Sequence, residues 1–199
     1  MKILAFTDIH ADPFAFKSLK RKVQSEKPDL IVCCGDISNF GMDLDFSVKQ
    51  ILSFKIKTLL IPGNHETEEE VKDIAKKNDF IINLHNNFFE MEDFIFYGYG
   101  GGGFSAVDLK FEKLMQKVLL SLPKSKKLVF VTHAPLYNTK LDKLPIGHHG
   151  SKSTRKFVEK ARPVLVLSGH FHENEKKEDK IGSSRILNPG HDGMIVEVN

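Results

Sequence analysis

The sequence predicts an α/β fold in which two sheets pack together with helices outside. Three observations carry that expectation. Short, nearly continuous apolar runs alternate with helix-period segments, as strands buried on both faces require. Runs of antiparallel character interrupt the alternation midway and again at the end, which a single parallel sheet does not accommodate. The length, 199 residues with 41% hydrophobic and 28% charged side chains, suits a well-packed core and excludes a disordered or collagen-like chain.

Taken in order, residues 2–7, 29–34, 58–61, 127–132 and 163–167 read as buried strands, each ending in polar residues. A helix over 13–26 places Phe16, Leu19 and Val23 on one side. Thr67 and Glu70 form a capping box at the head of another, with Glu68 and Glu69 at the positive end of its dipole. Phe111, Leu114, Met115, Val118, Leu119 and Leu122 keep helical spacing over three turns. Ser151 or Ser153 caps a further helix running to Ala161. Residues 80–84, 88–92 and 94–97 read as an antiparallel meander, and 186–187 with 194–198 repeat that style around Asn188-Pro189-Gly190. The stretches 100–103 and 173–180 read as loops. There is no internal repeat, and nothing marks a boundary, so residues 1–199 read as a single domain.

Composition narrows the function classes. Lys and Arg total 29 against 26 Asp and Glu, a net +3 too thin to argue for nucleic acid on charge alone. No apolar run approaches the ~18 residues of a membrane span. The N-terminal run is cut by Asp8 and His10 with no small-residue cleavage site, so it reads as a strand and not a signal peptide. Cys33 and Cys34 are adjacent in a strand, point to opposite faces, and imply a reduced, cytoplasmic setting.

The chemistry sits where the strands end. The buried runs are followed by Asp8-Ile9-His10, Gly35-Asp36, Gly63-Asn64-His65-Glu66, Thr132-His133 and Gly169-His170-Phe171-His172. In α/β sheets ligands bind beyond the carboxyl ends of strands. Singly, each residue has an ordinary reading as a cap, a turn or a satisfied histidine. Together, Asp8, His10, Asp36, Asn64, His133, His170 and His172 form a thiolate-free oxygen and nitrogen donor set too large for one ion. Shared by a bridging carboxylate, it supplies two divalent transition-metal ions, manganese first, with iron, zinc, nickel or cobalt as alternatives. Two such ions, two aspartates and a bridging hydroxide leave a site near +1, which attracts a phosphate ester and suits in-line attack of that hydroxide on phosphorus. The 100–103 run lacks the Gly-Lys-Ser/Thr of a P-loop, no second His completes a zincin motif after His65-Glu66, and no Gly-x-Ser-x-Gly elbow occurs.

The ordered set Asp-x-His, Gly-Asp, Gly-Asn-His-Glu, His and Gly-His-x-His closely resembles the calcineurin-like metallophosphoesterase superfamily, from Lys2 to about Gly190. The segment from Thr132-His133-Ala134-Pro135 through His148-His149-Gly150-Ser151 to Asn188-Pro189-Gly190 resembles its small prokaryotic members, with His191 where those often have Ser. The resemblance implies a four-layer α/β/β/α sandwich. It implies one metal held by Asp8, His10, Asp36 and His172, and the other by Asp36, Asn64, His133 and His170. His65 binds no metal in that scheme; it stabilises the transition state or protonates the leaving oxygen as the catalytic residue. The protein phosphatase branch pairs this histidine with an Asp three residues after the bridging one. Asn39 stands there, which argues against both that relay and protein phosphatase activity. The expected substrate is thus a small phosphate ester, a diester or nucleotide, in an open groove where Lys140, His148 and Arg155 of the 134–155 loop meet anions. A catalytically silent scaffold on the same fold is the alternative, and a nuclease a third reading. Scattered lysines support nucleic acid only weakly, and no membrane partner is implied.

Overall fold

The computed structural model describes residues 1–102 and 105–199, so the predicted 100–103 loop lies partly outside the described residues. The chain runs β1 (Lys2–Phe6), α1 (Pro13–Glu26), β2 (Leu30–Cys33), α2 (Leu44–Ser53), β3 (Thr58–Leu60), α3 (Glu68–Lys77) and β4 (Ile81–Asn83). It continues through β5 (Phe88–Met91), β6 (Phe94–Tyr99), α4 (Leu109–Ser121), β7 (Lys127–Thr132), β8 (Lys143–Leu144) and β9 (Gly147–His148). The last elements are α5 (Lys152–Ala161), β10 (Leu165–Leu167), β11 (Glu178–Ile181), β12 (Ser184–Leu187) and β13 (Met194–Glu197).

Local chemistry accounts for the helix ends. Asp12 caps α1 by accepting from Phe14 N–H at 2.8 Å, with Pro13 at the first position. Thr67 and Glu70 form the reciprocal capping box of α3, and Ser151, of the two candidates, caps α5. Helix α2 is not anticipated by the sequence reading. Asp43 precedes it in a left-handed conformation and makes no side-chain cap, so its start carries no local signature.

The strands form two mixed sheets and a small hairpin. One sheet has the order β13-β1-β2-β3-β4, parallel except for β13; the other has the order β11-β12-β10-β7-β6-β5, with β11 and β5 antiparallel at its edges. Strands β8 and β9 pair separately. The period-2 alternation of side chains builds the layers. Ile3, Ala5, Leu30, Val32 and Leu59 face Phe96, Val129, Val131, Leu165 and Leu167 of the other sheet in a buried central core. Leu4, Phe6, Ile31 and Leu60 face outward onto Ala15, Phe16, Ile51 and Val71 of α1, α2 and α3. Tyr97, Phe130 and Val166 face outward onto Phe111, Met115 and Phe157 of α4 and α5. Helices, sheet, sheet and helices are the four expected layers. Cys34 enters the central core and Cys33 the helix side, both as free thiols pushed upward in pKa by burial.

Two strand expectations need correction. The meander over 79–99 does not form: β4 pairs in parallel with β3 in the first sheet, and only β5 and β6 make an antiparallel hairpin, in the second. Likewise β12 and β13 lie in different sheets and do not pair with each other. The charged run 173–180, read as a loop, contains most of β11. An edge strand pairs through its backbone while alternate side chains stay in water, so Glu178 and Lys180 are exposed and carry no hydrophobic signal.

Candidate metal centre

All parallel strands of each sheet end on one side, and the turns that follow them meet there. Asp8 and His10 follow β1, Asp36 follows β2, Asn64 and His65 follow β3, His133 follows β7, and His170 and His172 follow β10. The predicted ligands and His65 are therefore brought together around one cleft, with Asp8 and His133 buried behind its lining. The cleft holds about 450 Å³ and is lined by His10, Asp36, Asn39, Asn64, His65, His170 and His172. The backbone is forced to do this: Asp8, His10, Asp36 and His170 all have φ between 45° and 73°, in the left-handed region that L-residues avoid. Neighbouring glycines make room. A Cβ on Gly63 would collide with the Asp36 carboxylate, and one on Gly169 with the Thr7 hydroxyl and the Asp8 carboxylate.

Among the described residues the donor atoms fall into three groups, Asp8 with His10 and His172, His10 with Asp36 and His65, and Asp36 with His133 and His170, the ligand atoms in each lying within 4.8 Å of one another; the second links the other two. His10 Nε2 and His172 Nε2 face each other at 3.3 Å. Asn64 Oδ1 lies 3.0 Å from His133 Nε2 and 2.9 Å from His170 Nδ1, and Asp36 Oδ2 lies 3.4 Å from His133 Nε2. The outer ring nitrogens are tied down. His10 Nδ1 donates to the Ser38 carbonyl at 3.1 Å and His133 Nδ1 to the Cys34 carbonyl at 2.9 Å, which turns each Nε2 inward.

This donor set fits divalent cations. Asp8 Oδ1 is buried and makes no hydrogen bond among the described residues, an arrangement costly for a carboxylate unless a cation faces it. Burial pushes the Asp8 carboxyl upward, yet the His172 imidazole, the His133 charge, the Thr7 hydroxyl and the His170 amide outweigh it and hold the pKa at about 2. Asp36 is also held low, with burial overcome by His133 and by the His65 amide, which donates to Oδ1 at 2.9 Å. Both carboxylates are therefore ionised across the physiological range. Burial and the neighbouring His133 charge lower His170 to about 4, leaving it neutral, the form of imidazole that ligates a cation.

His65 stands beside the donors. Its Nε2 is 3.9 Å from Asp36 Oδ2, and its Nδ1 accepts the Phe40 N–H at 3.2 Å. Asn39 does not serve as a relay; its side-chain amide donates to the His10 carbonyl at 3.0 Å. Glu66 braces the site, although residue type and spacing alone leave it without a role beyond completing the Gly63-Asn64-His65-Glu66 motif. Buried, it accepts from Asp36 N, Ser38 N, Ser38 Oγ and Gly63 N, locking the Asp36 and Asn64 turns to each other.

The 134–155 loop is less available than expected. Arg155 spends its guanidinium on Glu159 and on the carbonyls of Tyr137 and Asn138, so it braces the loop and does not reach for anions. His148 is bound through Nδ1 to the buried Asp142 at 2.7 Å. His191, on the turn after β12, pairs with Glu175.

Comparison with known proteins agrees with this geometry. The family model described as calcineurin-like phosphoesterase matches residues 1–174. An uncharacterized protein of Methanocaldococcus jannaschii is 33% identical over 98% of this chain and 91% of its own length. A probable glycerophosphodiester phosphodiesterase of Arcobacter nitrofigilis is 26% identical, over 73% of this chain and 57% of its own length. Among solved structures, TT1561 of Thermus thermophilus superposes with a TM-score of 0.76 at 18% identity, covering 95% of this chain and 88% of that one, a likeness of fold.

Proposed function

Since the chain belongs to the calcineurin-like phosphoesterase family, we propose that it is a two-metal phosphoesterase whose substrates are phosphodiesters or small nucleotides. The observation that carries this reading is the convergence of two donor groups, one around Asp8 and one around Asp36, in an open cleft with His65 on its wall. Asp8, His10, Asp36 and His172 would hold one ion, and Asp36, Asn64, His133 and His170 the other, manganese being the first candidate. When bound, such ions supply Lewis acidity toward the phosphoryl group and water of lowered pKa, and they clamp an in-line displacement.

The chain's own residues do the rest. Asp8 and Asp36, ionised and buried, set the charge that attracts the cations. His65 carries a proton on Nε2, since Nδ1 is occupied as an acceptor, and as a neutral donor it hydrogen-bonds the phosphoryl or leaving oxygen and stabilises the charge that develops there. The diester preference is supported by the open cleft and by the name of the Arcobacter relative. With Asn39 turned to His10, no carboxylate backs His65 as in protein phosphatases. Buried free thiols at Cys33 and Cys34 support a cytoplasmic setting; no helix among the described residues is long and apolar enough to cross a membrane.

The test is direct. Purified protein supplied with Mn²⁺ should hydrolyse a chromogenic phosphodiester, and Asp36→Ala should fall to background. Unchanged turnover in that variant, or near-zero bound metal in wild type after supplementation, would overturn the reading and favour a silent scaffold.

A further inference from the structure

Phe40 occupies a position that turn chemistry disfavours. Asn39 and Met42 exchange backbone hydrogen bonds at 3.3 and 3.0 Å, closing a turn with Phe40 and Gly41 at its centre. The two central residues have φ of +52° and +78°, the signature of a type I′ turn. The first central position of such a turn is normally Asn, Asp or Gly, because a side chain with a Cβ is strained there. Nor is Phe40 compensated by burial in a core, being 73% exposed. An outlier of this kind at the rim of a site asks for a functional reason.

The reason on view is His65. The two rings stack with centroids 3.9 Å apart at 23°, and the Phe40 N–H donates to His65 Nδ1 at 3.2 Å. The His10 ring meets His65 edge-on from another direction, at 4.6 Å. The turn is anchored to the same carboxylate that follows His65 in sequence: Gly41 N–H donates to Ser38 Oγ at 3.1 Å, and Ser38 Oγ to Glu66 Oε1 at 2.7 Å. Phe40 and His65 are thus held in one frame.

We infer that Phe40 is a positioning residue for His65: its amide fills Nδ1, leaving the ring proton on Nε2, and its side chain fixes the imidazole plane. A ring protonated on Nδ1 would set two donors against each other, so the contact selects the tautomer. The inference rests on the reading of His65 as a neutral hydrogen-bond donor given above. It accounts for a phenylalanine where a smaller residue would fold more easily, and it places the control of His65 in a backbone amide and a stacked ring.

Phe40→Asn suits the turn and keeps the amide while removing the ring. In Mn²⁺-loaded enzyme kcat should fall about tenfold, a fraction of what one preorganised donor to a developing charge supplies, with KM within about twofold. The loss should be larger for an alkoxide than for a nitrophenolate leaving group, and Phe40→Tyr should restore most of it. In a His65→Ala background the same substitution should cost nothing further. Nitrogen NMR of the metal-free protein should show His65 as a single Nε2-protonated tautomer in wild type, Phe40→Tyr and Phe40→Asn, all of which keep the amide, with ring signals broadened by added ring motion only in Phe40→Asn. Two results would overturn the inference: a full loss that persists without His65, which would mean that the ring acts on substrate, or an unchanged kcat and His65 spectrum in Phe40→Asn. The spectra decide positioning whether or not the wild type turns over phosphate esters, so the two readings fail separately.

Discussion

Glu66 Oε2 accepts the backbone N–H of Asp36 at 2.9 Å, and the same oxygen accepts Gly63 N–H at 3.2 Å. The other oxygen takes the amide and hydroxyl of Ser38. Burial pushes this carboxyl upward in pKa, with Asp36 adding to it, while the Ser38 and Gly63 donors pull it back. Glu66→Ala strands these donors in a buried site. It should destabilise the fold by about 2–4 kcal/mol, as expected for several orphaned groups. Metal affinity should drop about 10- to 100-fold, as when other supports of ligands are lost. Urea unfolding and metal titration check the two effects; a variant as stable as wild type would show that the clamp is dispensable.

The two donor groups should empty separately. The His172 side chain is 56% exposed, so its removal should change stability by no more than ~0.5 kcal/mol. His172→Ala should nevertheless retain about one of two ions, the loss falling on the site shared with Asp8 and His10, because a tetrahedral or octahedral ion tolerates loss of a nitrogen ligand poorly. Elemental analysis after dialysis reads the stoichiometry, and two retained ions would refute the assigned partition.

Gly169 is a matter of space. Its Cα lies against Thr7 and Asp8, so Gly169→Ala must displace either the Asp8 carboxylate or the turn that carries His170. The expected cost is about 1–3 kcal/mol, the usual range for overpacking, together with weakened metal binding. Gly182→Ala, whose added Cβ meets nothing within 4 Å but sits at φ +58°, separates backbone strain from collision. Thermal unfolding of the pair compares them; Gly169 is not at positive φ, so its loss is collision alone, and a Gly169→Ala variant as stable as wild type would show that the turn yields at no cost.

His85 gives the fold a pH dependence away from the cleft. It is buried, stacks on Tyr99, accepts Gly100 N–H at 3.0 Å through Nδ1, and meets Glu68 at 3.4 Å. Burial lowers its pKa, and Glu68 offsets only part of that. The folded state then binds this proton less readily than the unfolded chain. Stability is fully present above the ordinary histidine pKa of about 6.5 and is lost as pH falls below it, by up to about 1.4 kcal/mol per pH unit, the limit for one proton. His85→Asn keeps an acceptor for Gly100 and does not titrate. The stability difference between wild type and this variant should shrink between pH 7.5 and 5 in urea denaturation. A constant difference would remove His85 as the source.

Sequence and tertiary structure contributed different things. Helix α1 was legible to the residue, because Pro13 at its start and the spacing of Phe16, Leu19 and Val23 are short-range facts. So was the capping box of Thr67 and Glu70. That the seven candidate donors would gather was legible, since each follows a buried apolar run, and strand ends are where such sheets bind ligands. Which sheet a strand joins was not legible. Ile81–Asn83 and Phe88–Met91 look alike along the chain, and only long-range pairing sends one to β3 and the other to β6. Glu178–Ile181 hides its strand because an edge pairs by backbone and leaves its charges in water. The duties of Glu66, Phe40 and Arg155 belong to the same class: each is defined by a contact made through folding, which residue type and local spacing do not encode. Periodicity and capping act over a few residues and are written in the chain, whereas register, burial and the assignment of hydrogen-bond partners are decided when distant segments compete for the same space.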